Sequence, residues 1–325
     1  MSEPISVMAD SLPATPPRLS VIVPATDRPA TLAACLTAIH ASSAPPHEVI
    51  VVDEPALLPP AAARNLGAQR ATGDIFVFID SDVVVRHDAL ERLGQAFAEE
   101  DLDAVFGAYD DEPAHRSRVS SFRNLLHHHT HVQAAGPADT FWTGLGAVRR
   151  RSFERIGGFD ERRYRCPSIE DIEFGVRLRS AGGAIRLDPS IQGTHHKRWT
   201  VKSMVVTDFR HRGVPWVALQ VRQRQVSSAL NLDVRNRLSA ALTVGVVAAF
   251  VARRTPIAIA AVIAVIAVNR RLYALAARRH GWSGAAAGVG LHAVHHLTAV
   301  ASVPVGLGAA IRAGDHRRNG VRSAA

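Results

Sequence analysis

The sequence holds only two cysteines, Cys35 and Cys166, among 325 residues. Two thiols build no disulfide framework, and their spacing fits no metal-binding pattern. A reducing compartment is the reading that follows. Lysine is nearly missing: Lys197 and Lys202 are the only two, so arginine supplies the positive charge. Residues 1–17 lack a basic flank followed by an apolar core, which argues against a signal peptide. Their proline, serine and alanine predict a disordered leader. No internal repeat is visible.

The charge is unevenly spread. Residues 231–325 carry 12 arginines against two aspartates, whereas residues 1–230 are nearly neutral. The same C-terminal stretch holds the longest apolar runs, so its basic excess points to anionic lipid flanking membrane segments and not to nucleic acid. Residues 238–252 and 256–268 are apolar, with Arg253-Arg254 between them and Asn269-Arg270-Arg271 after them. Each run falls short of the roughly 20 residues that span a bilayer. Either they borrow flanking residues and snorkel their arginines, or they form a shallow hairpin. Residues 272–282 alternate apolar and basic residues like an interfacial helix, and residues 284–311 form a long run rich in alanine and glycine.

Strand and helix signals alternate through the first third. Residues 19–23 are a β-branched apolar run. Thr26-Asp27-Arg28-Pro29 reads as a helix start, and Leu32, Leu36 and Ile39 follow at the spacing of an amphipathic stripe. Residues 48–53, 75–79 and 104–106 predict further strands, and residues 61–71 and 89–98 further helices. Short links between alternating elements predict parallel strands with crossover helices. Ligands bind at the carboxyl ends of such strands, where Asp27, Asp53 and Asp80 all stand.

Asp80-Ser81-Asp82 follows a buried strand. Residues i and i+2 of an extended chain point to one side, so both carboxylates can face one cleft. Oxygen donors of this kind suit Mg²⁺ or Mn²⁺ together with phosphate oxygens. Ser168-x-x-Asp171 reads as a capping box, with Glu170 and Glu173 adding more acid to that first turn than capping needs. His195 or His196 could complete a metal shell, or contact phosphate together with Lys197 and Arg198. His127, His128, His129 and His131 cannot share one helical face, which weighs against zinc. His292, His295 and His296 do share one, and inter-helix or headgroup contacts suit them. Gly144-Leu145-Gly146 has Arg149 where a dinucleotide fingerprint would put its third glycine.

Four blocks in order, residues 19–27 (LSVIVPATD), 48–54 (EVIVVDE), 63–67 (ARNLG) and 73–82 (GDIFVFIDSD), closely resemble the family 2 glycosyltransferases of the GT-A fold. Residues 141–150 (FWTGLGAVRR), 156–161 (IGGFDE) and 168–175 (SIEDIEFG) extend the resemblance, and residues 123–129 resemble membrane-associated members. The resemblance implies an α/β, Rossmann-like mixed sheet and C-terminal membrane helices. It also implies a nucleoside-diphosphate sugar donor, Mg²⁺ or Mn²⁺, and inverting transfer. Pro24, Ala25, Asp27, Asp53, Glu54, Arg64, Asp80 and Ser81 would bind the donor, with His196 and Trp199 near its phosphates. Asp80, Asp82 and His195 would hold the metal, and Trp142 and Gly144 would face the acceptor. The Glu170-Asp171 pair would supply the general base, with Asp171 the mapped residue. Two departures stand out: Asp27-Arg28 replaces the usual Asn-Glu, and Glu54-Pro55-Ala56 the usual Asp-Gly-Ser.

The expected organisation is a leader over 1–17, a catalytic domain over 18–230 and membrane-associated helices over 231–325. The acceptor expected is lipid-linked or a glycan, at the inner membrane with a cytoplasmic catalytic domain. A non-catalytic binding or assembly protein that has kept the fold is the alternative, motivated by the two departures.

Overall fold

A computed structural model of the protein describes residues 17–99, 101–224, 230 and 233–322, with side chains to Arg312. The expected leader (Pro17 apart), the start of the expected C-terminal region at 231 and the side chains of the basic tail lie outside the described residues. The first strand, β1 (Leu19–Pro24), has Val21 and Val23 on one face and Ile22 on the other, all fully buried. A strand apolar on both faces needs a layer on each side, and the fold supplies both.

The sheet contains β2 (Glu48–Val52), β3 (Ile75–Ile79), β4 (Val83–Val85), β5 (Ala104–Tyr109), β6 (Gly136–Pro137), β7 (Leu145–Arg149) and β8 (Ile185–His195). Its order is β2-β1-β3-β7-β5-β8-β4, with β6 beside β8. β2, β1 and β3 run parallel, β7 is antiparallel to both β3 and β5, and β8 is parallel to β5. The carboxyl ends of β1, β2, β3, β5 and β8 therefore meet the amino end of β7 along one edge of a mixed sheet.

Helices α1 (Leu32–His40) and α3 (Ala89–Glu99) cover the face carrying Val21, Val23, Val77 and Ile79. On the other face α2 (Pro60–Arg70), α5 (Arg150–Arg155) and α6 (Glu170–Ser180) enclose Ile22, Phe76, Phe78 and Phe106. Phe153, Phe159 and Phe174 stack there, with Phe159 and Phe174 ring centres 4.9 Å apart. Full burial of one such ring contributes about 1.5–3 kcal/mol, so this layer fixes α6 against the sheet. Gly175 makes the approach possible: a Cβ there would stand 2.2 Å from the Phe141 nitrogen.

The structure corrects several local expectations. The first helix begins at Leu32, not near Pro29, because Arg28 adopts a left-handed φ of 50° and its N–H bonds the Ala25 carbonyl in a tight turn. β5 reaches Tyr109, beyond its apolar pattern, held by β8 across a register shift, and the end of β8 at His195 is held by β4. The Ser168 capping box does not form. Ile169 is the N-cap residue of α6, and Ser168 Oγ donates instead to the His211 carbonyl at 3.0 Å.

The helix α4 (Arg118–Gln133) lies between the sheet and the C-terminal helices. Beyond β8, α7 (Val201–Val206) runs through a π-helical turn (Thr207–Gly213) into α8 (Val214–Gln223). Then α9 (Val234–Val251) and α10 (Thr255–Val268) pack as a hairpin. α11 (Arg270–Arg322) is broken at Gly281, whose φ is 69°. The expected separate segments 272–282 and 284–311 correspond to two helices that meet at this break and fold back on each other, with Tyr273 Oη 2.9 Å from His292 Nδ1. α9 and the 270–312 part of α11 are long and apolar enough to cross a membrane, by length and composition only. Phe250, Val251, Ile257 and Ile263 face outward around the Arg253-Arg254 turn. His295 Nδ1 lies 2.8 Å from Asp208 Oδ2 and His296 Nε2 lies 2.8 Å from Ser239 Oγ, so these histidines join helices to one another.

Candidate active site

β3 ends where the chain turns sharply. Val83 N–H donates to the Asp80 carbonyl at 2.9 Å, and β4 pairs Val83 with His195 of β8. The turn presents Asp80, Ser81 and Asp82 at the edge where the parallel strands end. Beneath it lies Arg64 of α2, only 5% exposed. Its guanidinium donates to Asp80 Oδ1 at 2.7 Å and to Glu170 Oε1 at 2.9 Å. Burial opposes the Arg64 charge, but Asp80, Glu170 and Asp171 outweigh it and raise its pKa. One buried cation thus ties the end of β3 to the start of α6.

Glu170 is buried, and both its oxygens are engaged: Oε1 by Arg64, Oε2 by the Ser168 N–H at 2.9 Å. Asp171 is placed differently. It is half-buried, Oδ1 accepts from the Ile172 N–H at 2.8 Å, and Oδ2 receives only long contacts from Thr143, at 3.4 and 3.5 Å. Burial and then the neighbouring Glu170 charge push its carboxyl up to about 6, against the pull of Arg64. Thr143 precedes β7, and the next residue, Gly144, accepts from the Asp80 N–H at 3.2 Å. A Cβ at Gly144 would stand 2.2 Å from the Trp142 ring, so any other residue would push that ring aside.

Asp82 Oδ2 lies 3.5 Å from His195 Nε2. Burial would raise the Asp82 carboxyl, but His195 and Lys197 hold it below its usual value. His195 stacks flat on Tyr109, with ring centres 4.1 Å apart. Tyr109 in turn touches His127 and Trp142, at 4.2 and 4.8 Å between centres. Burial keeps His127 neutral, with its pKa well below normal, and holds His131 at about 4. Below the turn, Cys35 is a buried thiol whose Sγ lies 3.7 Å from the Asp80 carbonyl. Burial and the Asp80 and Asp82 charges push it up to about 12, so it stays protonated.

The other expected residues are distributed as follows. Pro24 and Ala25 end β1, and Ala25 N–H donates to the Val52 carbonyl at 2.8 Å, locking the β1 and β2 ends together. Asp27, Asp53 and Glu54 are exposed there, with Arg28 3.9 Å from Glu54. Trp142 is half-buried against the histidines of α4. His196 is half-buried, and its carbonyl lies 3.1 Å from His115 Nε2. Trp199 packs with Phe122, Leu126, Met204 and Leu272 against α11, under Arg123. Tyr109 and Thr143 went unmarked in the sequence. Tyr109 becomes visible only once β5 is known to reach the sheet edge, and Thr143 only once α6 is docked.

The donor chemistry at the turn suits a divalent cation in part. Asp80, Asp82 and His195 are an oxygen-rich set with one imidazole, appropriate to Mg²⁺ or Mn²⁺. Among the described residues, however, no group of three or more such side chains is already arranged around one point. Asp80 is also shared with Arg64. The set therefore fits an ion that takes its remaining ligands from phosphate and water. A separate cavity of 570 Å³ lined by Asn65, Phe153, Glu161 and Arg177 contains none of these carboxylates.

Residues 58–157 match the family model described as Glycosyl transferase family 2. The chain is 26% identical over 223 residues to the O-antigen biosynthesis protein RfbC of Myxococcus xanthus, covering 56% of this chain and 17% of that protein. It is 26% identical over 164 residues to the pre-mycofactocin glycosyltransferase of Mycobacterium tuberculosis, covering 49% of this chain and 34% of the relative. The chain thus spans about a third or less of these curated relatives. A mannosyltransferase of Pyrobaculum calidifontis, solved with GDP-Man and Mn²⁺, superposes with a TM-score of 0.56 at 19% identity, over 90% of this chain and 88% of its own. That likeness shows a GT-A-like mixed sheet followed by long C-terminal helices.

Proposed function

We propose that the protein is an inverting glycosyltransferase that moves a sugar from a nucleoside-diphosphate donor to an acceptor hydroxyl. The observation that carries this reading is the meeting of Asp80 and Asp82 with Asp171 at one sheet edge, joined by the Arg64–Glu170 ion pair. The family match over residues 58–157 supports the donor class. The Mn²⁺ and GDP-Man in the Pyrobaculum structure support a metal-bound diphosphate.

The donor nucleoside fits the exposed loops after β1 and β2, which carry Asp27, Asp53 and Glu54. Its diphosphate lies at the Asp80-Ser81-Asp82 turn. A divalent cation held by Asp82, Asp80 and His195 would neutralise the charge that builds on the departing diphosphate. Asp171 acts as the general base. A carboxyl held at about 6 is ionised at neutral pH yet more basic than an ordinary aspartate, which suits proton removal from a hydroxyl as it attacks. Glu170 serves Arg64 and Ser168 and so positions Asp171 instead of sharing its role. Trp142 and the neutral His127 wall the acceptor side and keep it dry.

The long apolar C-terminal helices support a reading in which this cleft works at a membrane. α10 has 14 residues, about 21 Å of helix, against roughly 30 Å of hydrocarbon. The α9–α10 hairpin therefore dips into one leaflet, with Arg253 and Arg254 snorkelling, while α11 inserts more deeply. Residues 18–230 form the catalytic domain on the cytoplasmic face, where nucleotide-sugars are available, and the acceptor is lipid-linked or a membrane glycan.

Release of nucleoside diphosphate from a panel of nucleotide-sugars, with and without EDTA, tests the reading. Wild type is expected to turn over at least one donor only with metal present, and Asp82→Ala and Asp171→Asn to lose turnover while remaining folded. Folded wild-type protein that binds no donor, or full activity in both variants, overturns it.

A further inference from the structure

A second cleft lies on the opposite side of α4 from the aromatic wall, against the start of α11. It has a volume of 260 Å³. Its floor is apolar, made by Phe122, Leu125, Leu272 and Ala276. Its polar groups are all neutral or basic: Arg116, Arg118, Ser121, Tyr273, His280 and Ser283. Among the described residues no carboxylate lines it. The nearby acids Asp111 and Glu112 face Arg279, whose Nε bonds Asp111 at 2.8 Å. Arg116 and Arg118 make no ion pair among the described residues.

Two polar atoms in this cleft lack partners. Ser121 is 5% exposed and its Oγ has no hydrogen bond, and the Nε2 atom of the half-buried His280 is also without a partner. A buried polar group left unsatisfied costs about 1–3 kcal/mol, and guanidinium groups without a carboxylate partner attract an anion; Arg118 donates only to the Ser283 carbonyl, at 2.6 Å. The apolar floor would exclude a bare hydrated ion. The chemistry that satisfies all three features is an acidic head on an aliphatic tail. Trp282 is 85% exposed next to the cleft, at the position of a side chain that anchors in a headgroup layer.

We propose that this cleft binds a phosphate-bearing amphiphile. Its phosphate is held by Arg116, Arg118, Ser121 and His280, and its chain lies on Phe122, Leu125, Leu272 and Ala276 and continues along α11. The route of the tail rests on the membrane reading of α11, whereas capture of the head does not. Nor does either depend on sugar transfer, so the site stands or falls apart from the proposed activity. Because α4 carries this cleft on one face and His127 and His131 on the other, an occupied cleft would also brace the wall of the candidate active site.

Titration calorimetry of the full chain in neutral maltoside detergent tests this with three probes: hexyl phosphate, hexanol and inorganic phosphate. Hexyl phosphate is expected to bind at least about tenfold more tightly than either of the others, since each supplies only one half of the recognition. Arg116→Gln with Arg118→Gln should weaken hexyl phosphate by about tenfold or more. Gly288→Leu should block the tail without disturbing the helices, because a Cβ there meets only Ala276 Cβ and Phe122 Cδ2, both at 3.9 Å. Its thermal melt checks the fold. Equal binding of inorganic phosphate, or wild-type affinity in the folded Gly288→Leu variant, overturns the proposal.

Discussion

Replacing Asp171 by asparagine is expected to stabilise the fold at neutral pH while removing activity. The folded protein holds this carboxyl at about 6, above the ordinary 3.8. A raised folded pKa means that the protonated form stabilises the fold below pH 3.8 and that this stabilisation is lost as pH rises through 6. At about 1.4 kcal/mol per pH unit, the ionised Asp171 makes the fold about 3 kcal/mol less stable than a neutral group would. Asparagine is neutral and of the same shape, so its Oδ1 can still accept from the Ile172 N–H. The advantage of Asp171→Asn should be absent near pH 3, and should grow by about 1.4 kcal/mol between pH 5 and pH 8. In a chain of this size that is about 2 °C in melting temperature. Thermal melts of both proteins across that range, in neutral detergent, read the difference directly. A gap that stays constant with pH, or an asparagine variant less stable throughout, would refute the raised carboxyl and with it the case for Asp171 as the base.

Arg64→Met leaves Asp80 and Glu170 without their shared cation, and a loss of about 3–5 kcal/mol is expected from thermal melts. Gly144→Ala forces the Trp142 ring aside, and acceptor KM should rise more than donor KM, read from initial rates with each substrate varied. Asp208 is held at about 2: burial opposes its charge but Arg123 and His295 prevail, so the stability it adds is present above pH 4 and is lost as pH falls toward 2. Asp208→Asn should lower the melting temperature at pH 7 and should flatten that acid-side loss. The turnover of wild type should rise with pH through about 6, as Asp171 ionises, and a profile flat from pH 5 to 8 would count against its role.

What the sequence made legible was what it encodes locally. β1, α2, β2 and β3 each combine a contiguous apolar period with a clear breaker, and Asp27, Asp53 and Asp80 follow from where those strands stop. β4 was invisible because three valines carry no period, and its strand state comes from pairing with Gly193, Thr194 and His195 of β8. The Ser168 capping box failed for a related reason: the serine hydroxyl is drawn to a carbonyl 43 residues away, a competition that no local pattern contains. Arg64 shows the same principle at the candidate site. Its sequence block marks it as a donor contact, and the fold adds two partners that no local pattern contains, Asp80 16 residues on and Glu170 106 residues on. A cation so placed does two things at once. It makes the burial of two carboxylates tolerable, and it leaves Asp171, one residue beyond Glu170 and without a direct bond to it, as the carboxyl whose proton is easiest to exchange at neutral pH. The raised pKa of Asp171 comes from its burial and then from the Glu170 charge, against the pull of Arg64, so replacing Arg64 should raise it further and shift the pH dependence of the cleft without touching Asp171 itself.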